Sequence, residues 1–342
     1  MSDTSPTPTS TTAVPSSVVA RFTDLYDYQE SLRSGADVRI IVTAAGNYEA
    51  TLTRVNLSQL RIHRGWISLP RIAHSVHGKG RWSLGFVTDS PFHVRQIPVT
   101  LNGLETGSAD IAFFPPGAEV YHRSFTESHW GSLSLPEESL ATAARTLLGR
   151  DLTAPADIRL LRTPPPLMSR LRHVHEAVAH LATTVPDILA HSEVARAMEQ
   201  ELLLVMIRCL AEGLPAESGN LRRLHNPVMR RFEQALEAAE DGPLYLAEIC
   251  ASIGVSARTL HQHCMDRLGI GPYRYLWLRR MNLVRQTLLR VDPKETTVTA
   301  MANEYGFSEL GRLLLHTDGC LVSRHRSHFV VRPVTDDLVA QS

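Results

Sequence analysis

The spacing of apolar residues changes along the chain. From about Phe22 to Leu135 they come in short β-branched or alternating runs. These are Val38–Val42, Asn47–Arg54, Leu60–His63, Trp82–Val87, His93–Ile97 and Asp110–Phe114. Gly, Pro, Asn and Asp punctuate the runs, and Pro115-Pro116-Gly117 closes one with turn chemistry. Alternation of this kind predicts strands of a sandwich or small barrel, which can enclose one ligand. Past Pro164-Pro165-Pro166 the period becomes helical, from Leu167 to Glu212. Ala195, Met198, Leu202–Val205, Met206 and Leu210 make an apolar helix that needs a partner, either the strands or a second copy of the chain.

A third pattern starts after Gly213–Gly219. Pro227–Ala239 predicts one helix. Leu246, Ile249 and Ile253 then fall on one face of a short helix by their spacing. Gly254 supplies a turn, because glycine takes positive φ without steric strain. Ser256 is a good N-cap for a second helix. Helix, glycine turn and capped helix is the grammar of a helix-turn-helix. A long helix comes next, from about Tyr273 to Arg290, with Trp277, Met281, Val284 and Leu288 on one stripe, and Asp292-Pro293 ends it. The pattern then recurs. Val298–Ser308 superposes on Leu246–Ser256, with apolar matches at 246/298, 249/301 and 253/305 and a constant offset of 52 residues, Gly254 to Gly306. Two copies joined by a rigid connector can read two major-groove segments about 34 Å apart.

Charge sharpens this division. The 342-residue chain has no formal net charge. Between Leu221 and Arg290, however, eleven Arg and no Lys face six acidic residues, a surplus of five positive charges. A basic module joined to a mildly acidic one suits one part that meets phosphate and another that does not. The four cysteines (Cys209, Cys250, Cys264, Cys320) have no metal-ligand spacing, and Cys209 and Cys250 read as small core residues. With no signal-peptide pattern and no bilayer-length apolar run read in the sequence, the expected compartment is the cytoplasm.

Candidate chemistry in the β-rich part is sparse. His63, His74, His77, His93, His122 and His129 invite a metal reading, but they lack the His-x-His and downstream carboxylate of a cupin metal site. They read as surface or hydrogen-bonded residues, with no metal and no cofactor expected. Trp66, Trp82, Phe86 and Phe113 are the expected lining of any pocket, beside their ordinary reading as core. No Ser/His/Asp set, phosphate loop or paired catalytic carboxylates stand out, so no enzymatic activity is expected.

Ser256–Leu260, Gly269-Ile270-Gly271-Pro272, Tyr275-Leu276, Arg280-Met281, Val284-Arg285, Leu288-Leu289 and Ala302–Ser308 resemble the DNA-binding domain of AraC/XylS-type transcriptional regulators. The resemblance covers about Val228–Arg312. With the apolar pattern it implies an α+β chain with a sensor and dimerisation domain over 18–212, while the Ser/Thr/Pro-rich start, without apolar periodicity, predicts a disordered tail over 1–17. The sensor domain would be β-rich over 22–135, a cupin-like barrel or sandwich, and helical over 167–212. Beyond it would lie a linker over 213–226 and a double helix-turn-helix over 227–315. The resemblance further implies a homodimer on promoter DNA, RNA polymerase as partner, a small-molecule effector, and most often activation. Ala257, Arg258, His261, Gln262 and, in the second copy, Glu309 are then the base-reading candidates. Ser256, Arg267, Arg274, Arg279, Arg280, Ser308 and Arg312 are the phosphate candidates. Two departures stand out: Gln262 where the family commonly has a basic residue, and Cys264 where it commonly has Phe.

The second copy departs further. After Arg312 the pattern requires a recognition helix and a Phe-Gly-x-Ser-Pro run, but the chain reads Leu313–Cys320 with Asp318-Gly319 breaking the helix. Permitted codons for His316–Arg332, read one frame over, spell His-Arg-Arg-Leu-Phe-Gly-Glu-Ser-Pro-Ser-Gln-Pro-Leu-Arg-Arg-Pro. This predicts a frameshift between about Gly311 and His316, an aberrant tail over 316–342 and a damaged second reading head. The alternatives are a cupin-like metal-dependent enzyme or sensor, and a non-functional frameshifted regulator.

Overall fold

The computed structural model describes residues 15–88, 99–152, 155–216, 226–239, 245–291 and 297–307. The chain separates into two compact units, one built mainly on Tyr48–Pro227 and the other mainly on Val228–Cys264 and Ile270–Ser342.

The first unit opens with β1 (Ser16–Phe22) and α1 (Leu25–Leu32), then β2 (Ala36–Val42), β3 (Ala50–Asn56), β4 (Arg61–Ile67), β5 (Arg71–His77) and β6 (Arg81–Val87). It continues through β7 (Val99–Leu101), β8 (Leu104–Thr106), β9 (Asp110–Phe114), β10 (Glu119–Ser124) and β11 (Ser128–Pro136). Then come α2 (Glu137–Leu148), β12 (Arg159–Arg162), α3 (Pro165–Thr184), α4 (Pro186–Ala190), α5 (Ser192–Glu212) and β13 (Leu214–Pro215). Among the described residues the strands form two sheets, ordered β1-β3-β4-β11-β6-β9-β12-β13 and β2-β5-β10-β7-β8.

Several elements differ from those the apolar pattern predicts. Strand β1 begins at Ser16, within the expected tail, and pairs with β3 in register from Ser16 opposite Asn56. Strands β5, β7, β8, β10, β11, β12 and β13 and the helices α1 and α2 have no counterpart among the predicted runs. The short α1 starts where the Asp24 carboxylate accepts the Tyr26 and Asp27 backbone N–H groups at 2.8 and 3.2 Å. The residues of the expected run His93–Ile97, most of the expected tail and the expected linker from 217 to 225 lie outside the described residues.

Alternation decides the core. Trp82, Leu84 and Phe86 of β6, Ile111 and Phe113 of β9, and Leu133 and Leu135 of β11 share one sheet face. That face packs on Leu140 of α2, Leu171, Val174 and Val178 of α3, and Leu202, Val205 and Met206 of α5. Each such side chain contributes about 1.5–3 kcal/mol on burial. Helix α5 is therefore a bracket on the sheet, and Cys209 is fully buried in the same cluster. Glu199 fastens it further, accepting the backbone N–H groups of Gln59 and Leu60 at 2.6 and 2.8 Å.

In the second unit the described elements are α6 (Pro227–Ala238), α7 (Leu246–Ile253), α8 (Ala257–Leu268), α9 (Pro272–Leu288) and α10 (Val298–Glu304). Met229, Phe232, Leu236, Ile249, Ile253, Leu260, Cys264, Tyr275 and Leu276 are buried. The far half of α9 packs Met281, Val284 and Leu288 against Phe307, with Met301 and Tyr305 alongside.

Candidate functional site

The turn between α7 and α8 is built as its residues require. Gly254 closes α7 with φ 68°, a left-handed conformation that disfavours any side chain. The Ser256 hydroxyl accepts the Thr259 backbone N–H at 3.1 Å and caps α8. Gly306, the equivalent glycine of the second copy, has φ 74°. The two repeats thus turn alike. Ser308, Glu309, Arg312 and the expected tail lie outside the described residues, which reach Phe307.

Helix α8 has a buried stripe and an exposed one. Leu260 and Cys264 are fully buried. Ser256, Ala257, Arg258, His261, Gln262 and Met265 are exposed or half-exposed, with Met265 43% exposed. The spacing 257, 258, 261, 262, 265 is one face of a helix. The His261 ring leans on Gly271, where a Cβ would come within 2.9 Å of it. The small Cys264 side chain occupies a core position beside Glu233, and burial pushes its thiol up to about 12, with the Glu233 charge adding to the effect.

The phosphate candidates divide. Arg274 is exposed and lies over the Trp277 ring at 4.6 Å. Arg280 is half-buried, sits over the Phe307 ring at 5.3 Å and donates to the Gly306 carbonyl at 3.4 Å. Arg279 is 8% exposed and donates to the Leu236 carbonyl at 3.2 Å, tying α9 to α6. Arg267 is 5% exposed. Arg279 thus turns its guanidinium inward rather than toward a phosphate, and the expectation for it is corrected. Helical spacing alone does not separate a basic residue on the rim from one turned inward.

The first unit holds a second feature, a partly open cavity of about 220 Å³ lined by residues of both sheets. The alternate residues Arg71, Ala73, Ser75 and His77 of β5 line one side of it. Ser83, Gly85 and Val87 of β6, Ala112 and Phe114 of β9, His122 of β10 and Trp130 and Ser132 of β11 line the rest. Gly65 makes room for the Trp130 ring, which would collide with any Cβ there. The expected lining is corrected. Of Trp66, Trp82, Phe86 and Phe113, only Phe86 touches the cavity. Trp82 and Phe113 stack on each other at 5.1 Å on the helix side of the sheet. Trp66 lies near His129, at 6.2 Å between ring centres. Trp82, Phe86 and Phe113 occupy the parity opposite to the main lining of their strands.

The histidines also separate. His63, His77, His122 and His129 line the cavity, whereas His74 packs on Tyr121 at 4.9 Å. His93 lies outside the described residues. Burial lowers His63 and His77 to about 4 and His122 to about 3, with positive neighbours assisting at His63 and His122. Among the described residues no three His, Cys, Asp or Glu side chains converge as a metal ion would require.

Residues 249–316 match the model of a family described as helix-turn-helix domain. The probable thc operon regulatory protein of Rhodococcus erythropolis is 36% identical over 115 residues, 31% of this chain and 35% of that protein. The chain thus spans about a third of the length of that curated relative. Among solved structures, the AraC-like transcriptional activator CuxR is 18% identical, with TM-score 0.40, over 78% of this chain and 94% of its own. ToxT from Vibrio cholerae O395 is 12% identical, with TM-score 0.26, over 90% and 94% respectively. The repeated turn, the capped α8 and the family match agree: the C-terminal part of this chain carries a helix-turn-helix domain.

Proposed function

We propose that the chain is a sequence-specific, promoter-binding transcriptional regulator, working in the cytoplasm as a homodimer with RNA polymerase and gated by a small molecule in the first unit. The exposed face of α8 carries the reading. Ala257, Arg258, His261 and Gln262 project from a capped helix behind a glycine turn, the geometry that enters a major groove. Arg258 is the guanine-reading candidate, because its guanidinium can bond O6 and N7 together. Ser256 and Arg274 stand at positions suited to phosphate, while Arg280 also holds the α9–α10 junction. The cavity between the sheets supports a ligand-gated regulator.

The family match ends at residue 316, where the sequence departs from the pattern. A frameshift there leaves one complete reading head, and sequencing the genomic codons for residues 316–332 decides it. The functional test is a gel shift on the protein's own promoter region, with this chain and a frame-restored one. The frame-restored chain is expected to bind more tightly and with a steeper salt dependence, because it recovers phosphate contacts. Arg258→Ala should then weaken the specific complex by about 1–3 kcal/mol and relax one base position. Retention of specificity in that variant, or no specific complex with either chain, overturns the reading.

A further inference from the structure

We propose that the cavity of the first unit takes a small organic carboxylate, held by Arg71 with an aromatic or aliphatic body against Phe114, Val87 and Ala112. This rests on the reading of that cavity as the effector site and names the chemistry it selects.

Arg71 begins β5 and lies on its inner parity with Ala73, Ser75 and His77. Its Nη1 is buried and has no hydrogen-bond partner. The charges it senses come from the phenols of Tyr28 and Tyr48, and no carboxylate is among them. Burial pushes the Tyr28 phenol up to about 12, so it stays neutral and does not balance the guanidinium. Asp110 also borders the cavity, but it is engaged elsewhere, by Arg162 at 3.1 Å and the Gly107 backbone N–H at 2.8 Å. The lining histidines His63, His77 and His122 are neutral near pH 7. Arginine keeps its proton in proteins. Among the described residues of the lining, Arg71 is therefore a cation that no carboxylate balances, and an unpaired buried charge is costly.

The His77 Nε2 and the Tyr28 and Ser128 hydroxyls of the lining are also buried without a hydrogen-bond partner. The His77 ring stacks on Phe114 at 4.3 Å, and the His122 ring stands 6.0 Å from the same Phe. An anion reaching Arg71 thus has an aromatic wall beside it. A guanidinium bonds a carboxylate bidentately, which fixes orientation as well as charge. The volume of about 220 Å³ equals that of about seven waters. It is below the ~300–1,000 Å³ of drug-sized pockets. One ring or a short chain with a single carboxylate fits, and a nucleotide or long-chain lipid does not.

The test uses the full chain without DNA, titrated by calorimetry with benzoate, hexanoate, benzamide and benzylamine. Either carboxylate is expected to bind with Kd of about 1 mM or tighter, and the neutral amide and the amine at least about tenfold more weakly. Arg71→Gln should weaken carboxylate binding about tenfold or more, and Arg71→Lys less. Ala73→Leu, which fills the cavity and keeps the guanidinium, should also abolish binding. Benzamide binding as tightly as benzoate, unaltered binding in folded Arg71→Gln, or no binding by either carboxylate overturns the proposal. Should Arg71→Gln not fold, the comparison of benzoate with benzamide and the Ala73→Leu titration decide. The gel shift is scored separately: carboxylate binding without specific DNA binding overturns the regulator, and the reverse overturns only the ligand class.

Discussion

Helix α8 and strand β6 both divide their residues between two faces, but only the helix has one face in water. On α8, Leu260 and Cys264 turn inward and Ala257, Arg258, His261 and Gln262 outward. On β6, Trp82, Leu84 and Phe86 pack on the helices while Ser83, Gly85 and Val87 border the cavity. Neither side of that strand is a solvent face. The lesson concerns contrast. Polarity marks a functional face when its opposite is core. It marks nothing on a strand such as β6, where one side is core and the other sets serine, glycine and valine against a cavity.

The largest expected effect separates the two sides of the sheet. Phe113→Ala removes a fully buried ring stacked on Trp82 and should cost about 3–5 kcal/mol in chemical unfolding. Ala112→Ser, the neighbour on the cavity side, should stay within about 1 kcal/mol, because the hydroxyl has space there and meets no close-packed core. Equal losses would break the comparison.

Acid should act on the same unit. Burial lowers the fully buried His175 to about 4, its hydrogen bond to the His63 carbonyl opposing the shift. The unfolded side chain titrates near 6.5, so between pH 6.5 and 4 the unfolded state binds the extra proton. Stability is present above pH 6.5 and falls through that window, by about 3 kcal/mol at pH 4 for this residue. Unfolding curves at several pH values check it, and His175→Gln should flatten the dependence.

The helical unit should respond less. Gly254→Ala forces a side chain into the left-handed conformation and should cost about 1–2 kcal/mol. Ser256→Ala removes the cap of α8, at about 1 kcal/mol. Arg258→Ala is exposed and should change stability by no more than about 0.5 kcal/mol, while its effect on DNA is large. A large stability loss there would make Arg258 structural and collapse the contrast between the two faces of α8.

Much of the helical unit is legible in the sequence. The glycine turns, the Ser256 cap and the stripe of α9 arise from local chemistry, and Gly254 and Gly306 share a conformation because the same motif is written twice. The phosphate candidates are less so, since Arg279 lies on a stripe that its spacing leaves ambiguous. In the first unit the strands Val38–Val42, Trp82–Val87 and Asp110–Phe114 are readable, but pocket residues chosen by size are not the lining. Size selects Trp82 and Phe113, which a close-packed core also prefers. Arg71 carries no distinguishing local signal, and neither does the strand that holds it.

By itself, then, the sequence determined the order of the two modules, the repeat, the capped α8 and the period of the strands. These rest on interactions within a few residues: a hydroxyl accepting an N–H one turn on, a glycine able to take positive φ, an alternation of side chains. Tertiary structure alone decided which parity of β6, β9 and β11 meets the helices and which the cavity. It also turned Arg279 inward to Leu236 and left Arg71 facing the cavity. The physical reason is that both sheet faces are covered, so the inside of the sandwich is set by which strands pair and where α2, α3 and α5 pack, not by any one strand's pattern.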